Sequence, residues 1–121
     1  KYLNDHGGSS NASTGSHHTN YMFDVHCDHL DGALDRFSQF FISPLFTESA
    51  TERELNAVNS ENNKNLESDG RRQYQFDKSL AKKDHPFHKF ATGNMETLNK
   101  NDTREQLLKF HKNYYSANIM K

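Results

Sequence analysis

The stretch Thr47–Lys78, TESATERELNAVNSENNKNLESDGRRQYQFDK, constrains the chain more than any other, because it reads as one long helix around which the remaining segments can be placed. Leu55, Val58 and Leu66 are its few apolar contacts before Gly70, which is expected to kink or end it, and Tyr74 and Phe76 resume apolar character beyond. Ser49-x-x-Glu52 has the form of a capping box at its start, with Thr47 an alternative cap one turn earlier. Glu54 and Glu61 stand seven residues apart on this helix. At about 100° per residue, seven steps are two turns less about 20°, so both carboxylates point the same way with Val58 between them. Spacing alone would assign such a pair to a solvated face.

Around this helix the other segments fall into place. Lys1–His6 reads as a last helical turn closed by Gly7-Gly8. Asn20–Val25 puts Tyr21, Phe23 and Val25 on one face at period two, a half-buried strand, and the Gly15-Ser16-His17 turn makes the small polar run SSNAST its hairpin partner with an open edge. From Asp28 to about Phe41, Leu30, Ala33, Leu34, Phe37, Phe40 and Phe41 form an amphipathic helix, with Asp28 its expected N-cap and Pro44 its stop. Lys82–Asn94 has no period and is expected to be a surface loop pinned by Phe87 and Phe90. A final helix opens at Thr103-x-x-Gln106 and carries Leu107, Phe110, His111 and Tyr114 on one stripe, and a strand is expected to begin near Asn118. The fold class is α+β, with helices packed on one face of an antiparallel sheet.

Composition bounds the functional classes. A chain of 121 residues is one domain's worth, and 32% hydrophobic residues without Trp imply a thin core, built mainly on nine Phe and five Tyr. Fifteen basic against sixteen acidic residues leave a net charge of -1, no footprint for nucleic acid or an anionic membrane surface. The longest apolar run, Phe40-Phe41-Ile42, is too short to span a bilayer. A single cysteine, Cys27, excludes an internal disulfide and fits a reducing compartment, so a cytoplasmic location is expected. Lys1 looks like the middle of an element, which suggests a fragment of a longer protein.

Short motifs carry little by themselves. His26-Cys27-x-His29 lacks the second ligand pair that a closed zinc site needs, and exposed polar residues at a strand-to-helix passage account for it, as they do for His85-Pro86-Phe87-His88. There is no G-x-S-x-G elbow, phosphate-binding loop or dinucleotide fingerprint.

Six blocks taken in order are specific. They are Gly7-Gly8-Ser9-Ser10-Asn11-Ala12, Thr19-Asn20-Tyr21-x-Phe23-Asp24-Val25, Leu30-x-Gly32-Ala33-Leu34-Asp35-Arg36-Phe37 and Arg53-Glu54-x-Asn56-Ala57-Val58-x-Ser60-Glu61, followed by His85-Pro86-Phe87-x-Lys89-Phe90-x-Thr92-Gly93-Asn94 and Leu107-Leu108-Lys109-Phe110-His111. Over nearly the whole chain they resemble part of the N-terminal domain of the insulysins, the insulin-degrading enzymes among the pitrilysin-type inverted zinc metallopeptidases.

The resemblance implies a zinc endopeptidase that hydrolyses small peptides with a metal-activated water. In that family an H-x-x-E-H helix supplies two histidine ligands and the general base, and a later helix supplies a glutamate ligand. The ligand position corresponds to Glu61, and a carboxylate that supports a ligand histidine corresponds to Glu54. No H-x-x-E-H occurs in residues 1–121, so the chain is expected to be a partial catalytic domain, inactive alone and a poor zinc binder. Asn11, Ala12 and Ser13 correspond to the edge strand that pairs with an extended peptide substrate. Arg71 and Tyr74 correspond to the pocket beyond the cleaved bond.

Two positions depart from the family pattern, because Ser13 stands where an aromatic is usual and Arg71 where a Trp is usual. Both make the pocket less apolar, so cleavage preference is expected to move toward acidic or polar residues on the leaving side. Homo-oligomerisation of the intact protein is compatible with the resemblance. Two other classes remain open: a relative that has lost the metal site and acts as a non-catalytic subunit, and a His-rich metal-binding module.

Overall fold

A computed structural model describes all residues from Lys1 to Lys121, and the chain divides into two compact units, Lys1–Pro44 and Leu45–Lys121. In the first unit a short helix α1 (Tyr2–Asp5) leads to strands β1 (Ser9–Thr14) and β2 (Thr19–Asp24), a 3-10 turn at Cys27–His29 and helix α2 (Leu30–Ile42). α1 ends as the glycine pair demands. Gly7 has φ +70, and the Gly8 N–H donates to the Leu3 carbonyl at 2.8 Å, closing the last turn.

β1 and β2 form a two-stranded antiparallel sheet in which Asn11 faces Met22, Ala12 faces Tyr21 and Ser13 faces Asn20. β1 is exposed along its whole length. On β2, Tyr21 and Phe23 turn inward, as the period-two reading requires, and meet α2: Tyr21 lies 5.2 Å from Phe40 and 5.3 Å from Phe41, and Phe23 lies 4.8 Å from Phe37 between ring centres. Such edge-to-face and tilted pairs add about 0.5–1.5 kcal/mol each beyond the area they bury. The core is as thin as the composition implies, with Ala33 the one fully buried apolar side chain.

α2 starts later than its pattern suggests. Residue His29 occupies the cap position without a side-chain hydrogen bond, while Asp28 lies inside the preceding 3-10 turn with its carboxylate directed at His26 and Cys27. Asp28 is therefore not the helix cap.

In the second unit the expected single helix is two, α3 (Glu48–Leu66) and α4 (Asp69–Ser79). Thr47 caps α3, its side chain accepting from the Ala50 N–H at 3.3 Å. The break falls at Ser68, which takes an extended conformation (φ -99, ψ 115). Gly70 does not make it and lies inside the first turn of α4. Ser and Asp compete with the helix through local side-chain bonds, so Ser68-Asp69 favours a fresh start over continuation.

Three further expectations change. A short helix α5 (Met95–Leu98), opened by an Asn94/Thr97 capping box, follows the loop where no regular element is expected. Residue Asp102, and not Thr103, sits at the cap of α6 (Thr103–Tyr114), because the Thr103 hydroxyl is engaged with the Leu98 and Lys100 carbonyls. After α6 the chain makes a turn, Ile119 N–H to Ser116 carbonyl at 3.0 Å, with no strand at Asn118.

The loop at 82–94 is held as much by polar side chains as by aromatics: the Ala91 N–H donates to Gln75 Oε1, Asn65 donates to Thr92, and the Met95 N–H just beyond it donates to Asn59 Oδ1 at 3.0 Å. Phe87 contributes through Tyr74, 6.2 Å away, and both Phe87 and Phe90 remain partly exposed. No helix is long and apolar enough to cross a membrane.

Candidate functional site

The buried side of α3 is unusually polar. Asn62 is buried, and Thr51, Leu55, Val58, Asn59 and Asn65 are half-buried along the same side. Counting about 100° per residue, Glu54 and Glu61 lie within about 20° of each other, on the flank of this stripe. Both are exposed, and the Arg72–Asp69 ion pair and the His26–Asp28 contact lie elsewhere. Seven steps of about 1.5 Å place the two backbones about 10.5 Å apart along the axis. An exposed carboxylate on a continuous helix, free of an internal cation, suits one oxygen position of a zinc ion that takes about three protein ligands and a water.

Asn11, Ala12 and Ser13 occupy the middle of β1, one of the two edge strands of a two-stranded sheet. The Ala12 N–H donates to Asn11 Oδ1 at 2.8 Å, so one main-chain donor of this strand is satisfied by its own neighbour.

Arg71 and Tyr74 stand three residues apart on α4, with Lys78 one turn further, so the three share a stripe. Lys78 is buried, its Nζ 5.3 Å from the centre of the Tyr74 ring and 4.4 Å from that of Phe87. Arg72 pairs with Asp69 at 3.2 Å, whereas Arg71 is exposed outside that pair. The surroundings of Tyr74 are thus cationic.

Around the His26-Cys27-x-His29 motif the grouping differs from the one its spacing suggests, with Asp28 in place of His29. The 3-10 turn gathers His26, Cys27 and Asp28, with donor atoms all within 4.8 Å of one another. His29 instead lies against His6, ring centres 3.9 Å apart and the rings tilted by 48°. The signal was three different donor types in succession, which a search for paired ligand spacings passes over.

Comparison with known proteins matches residues 1–84 to the insulinase family, peptidase family M16. The chain is 60% identical to the A-factor-processing enzyme of Saccharomyces cerevisiae, over 99% of this chain and 12% of that protein. It is 61% identical to the insulin-degrading enzyme of Drosophila melanogaster, over 98% of this chain and 13% of that protein. A crystal structure of pitrilysin superposes with a TM-score of 0.90 at 41% identity, covering 98% of this chain and 13% of that one. The chain therefore spans about an eighth of the length of the relatives it matches, 12% and 13% of the two enzymes. With the matched profile running through β1, β2 and the carboxylates of α3, the chain belongs to the insulinase family of peptidases, family M16.

Proposed function

We propose that this chain is part of the catalytic domain of an insulysin-type zinc metalloendopeptidase, in which Glu61 is a zinc ligand and Glu54 supports a ligand histidine. The observation that carries the reading is the pair itself: two exposed carboxylates on one flank of α3, separated by two turns and outside the chain's ion pairs. Bound zinc would supply Lewis acidity and an activated water. The protein's own part is to offer an oxygen donor at Glu61 from a continuous helix, and to orient a neighbouring imidazole through Glu54. β1 offers main-chain donors and acceptors to an extended peptide, a mode that tolerates varied side chains. Relatives named for degrading insulin and for processing A-factor both favour polypeptide substrates.

The test uses the intact protein. Glu61→Gln should cost the intact protein one equivalent of bound zinc together with peptide hydrolysis, and Glu54→Gln should reduce affinity for that equivalent, or activity, by about 10- to 100-fold. Full zinc occupancy and activity in Glu61→Gln would remove the ligand assignment. A zinc-free, inactive wild-type protein would favour the non-catalytic relative.

A further inference from the structure

We infer that His26, Cys27 and Asp28 form a separate surface site for a borderline-soft divalent cation of the zinc, cobalt or cadmium class. His26 Nδ1 lies 4.0 Å from Cys27 Sγ and 3.4 Å from Asp28 Oδ2, and Cys27 Sγ lies 3.7 Å from Asp28 Oδ1. Bond lengths of about 2.0–2.1 Å to nitrogen, about 2.0–2.2 Å to oxygen and about 2.3 Å to sulfur, at tetrahedral angles, require donor separations of about 3.4–3.6 Å. His26 Nδ1 and Cys27 Sγ approach different oxygens of the Asp28 carboxylate, and one donor atom from each of the three residues lies within 4.8 Å of the others, so a modest rotation of the side chains brings them onto one face of that tetrahedron.

The local chain explains how three consecutive residues converge. His26 is extended (φ -57, ψ 139) and the following 3-10 turn is closed by the His29 N–H on the His26 carbonyl at 2.9 Å, so the Cys27 and Asp28 side chains double back toward the His26 ring. All three residues are exposed, so a cation has free access.

The donor set selects the cation. Binding moves the thiol proton to solvent, and the resulting thiolate with the Asp28 carboxylate neutralises a dication while the imidazole binds as a neutral ligand. A thiolate favours zinc-like ions over calcium or magnesium, which prefer oxygen alone. The fourth position stays open to water, as in sites with three protein ligands. It does not go to His29, whose ring centre lies 6.4 Å from that of His26 and which packs tilted against His6.

Cobalt(II) is the probe. Titrated into the reduced intact protein, it should give a sulfur-to-cobalt charge-transfer band saturating at one ion per chain and bleached by zinc. Cys27→Ser should lose the band, and His26→Ala and Asp28→Asn should each weaken binding at least about tenfold, the lower end of what even outer-sphere changes cost. Glu61→Gln should leave the band unaltered. The inference is overturned by the absence of a band, by undiminished affinity in His26→Ala or Asp28→Asn, or by equal affinity in concentrated urea, where the turn is gone.

Discussion

The Ala12 amide is capped by the side chain of Asn11, 2.8 Å from N to Oδ1, on the strand that has only one neighbour in the sheet. An unguarded edge strand invites pairing with any extended chain, and local satisfaction of a donor blunts that hazard. It also gives the edge a defined donor that a substrate can claim by displacing the amide side chain.

Ala12→Pro removes this donor without removing a side chain of any size. In the intact protein the hairpin should persist by far-ultraviolet circular dichroism, while kcat/KM for extended peptides falls. One backbone hydrogen bond is worth about 0.5–1.5 kcal/mol net, or roughly 2- to 10-fold. An unchanged KM would show that substrate does not pair with β1 at this position.

Arg71 should shape selectivity through charge. It shares a stripe of α4 with Tyr74 and Lys78, so the surface there is cationic around one aromatic ring. Arg71→Trp in the intact protein should shift a peptide-library profile from acidic toward bulky apolar residues on the leaving side. An exposed charge pair is worth up to about 1 kcal/mol, so the ratio of kcat/KM values should move about fivefold. Undiminished preference for bulky apolar residues in the protein with Arg71 in place would contradict this.

Gly8 should resist any side chain. A Cβ built there would stand 2.0 Å from the Asp24 carbonyl oxygen, a main-chain atom that cannot step aside. Gly8→Ala should therefore force β1 and β2 apart at their open end and cost at least about 1–3 kcal/mol in urea unfolding, the range for overpacked sites. Wild-type stability in that variant would mean the strands are looser than the register implies.

Thr47→Ala tests which residue starts α3. Loss of the Thr47 acceptor from the Ala50 N–H should cost about 0.5–2 kcal/mol, whereas Ser49→Ala should cost little. The reverse ranking would restore the capping box one turn later.

Much of this molecule was legible without its structure. The alternation of Tyr21 and Phe23, the spacing of Phe37, Phe40 and Phe41, and the glycine pair after α1 each follow from strictly local geometry, and all appear as expected. The family, too, is carried by ordered blocks of residues, and the match over residues 1–84 agrees with it.

Tertiary structure decided matters in which local options were close in energy. Whether Ser68 or Gly70 breaks the long helix, and whether Thr47, Ser49 or Asp102 caps one, depends on differences of about 1 kcal/mol that neighbouring contacts override. Likewise Asp28 could cap α2 or face His26. Only the 3-10 turn, a product of how the strand is joined to α2, directs its carboxylate to the imidazole and thiol beside it.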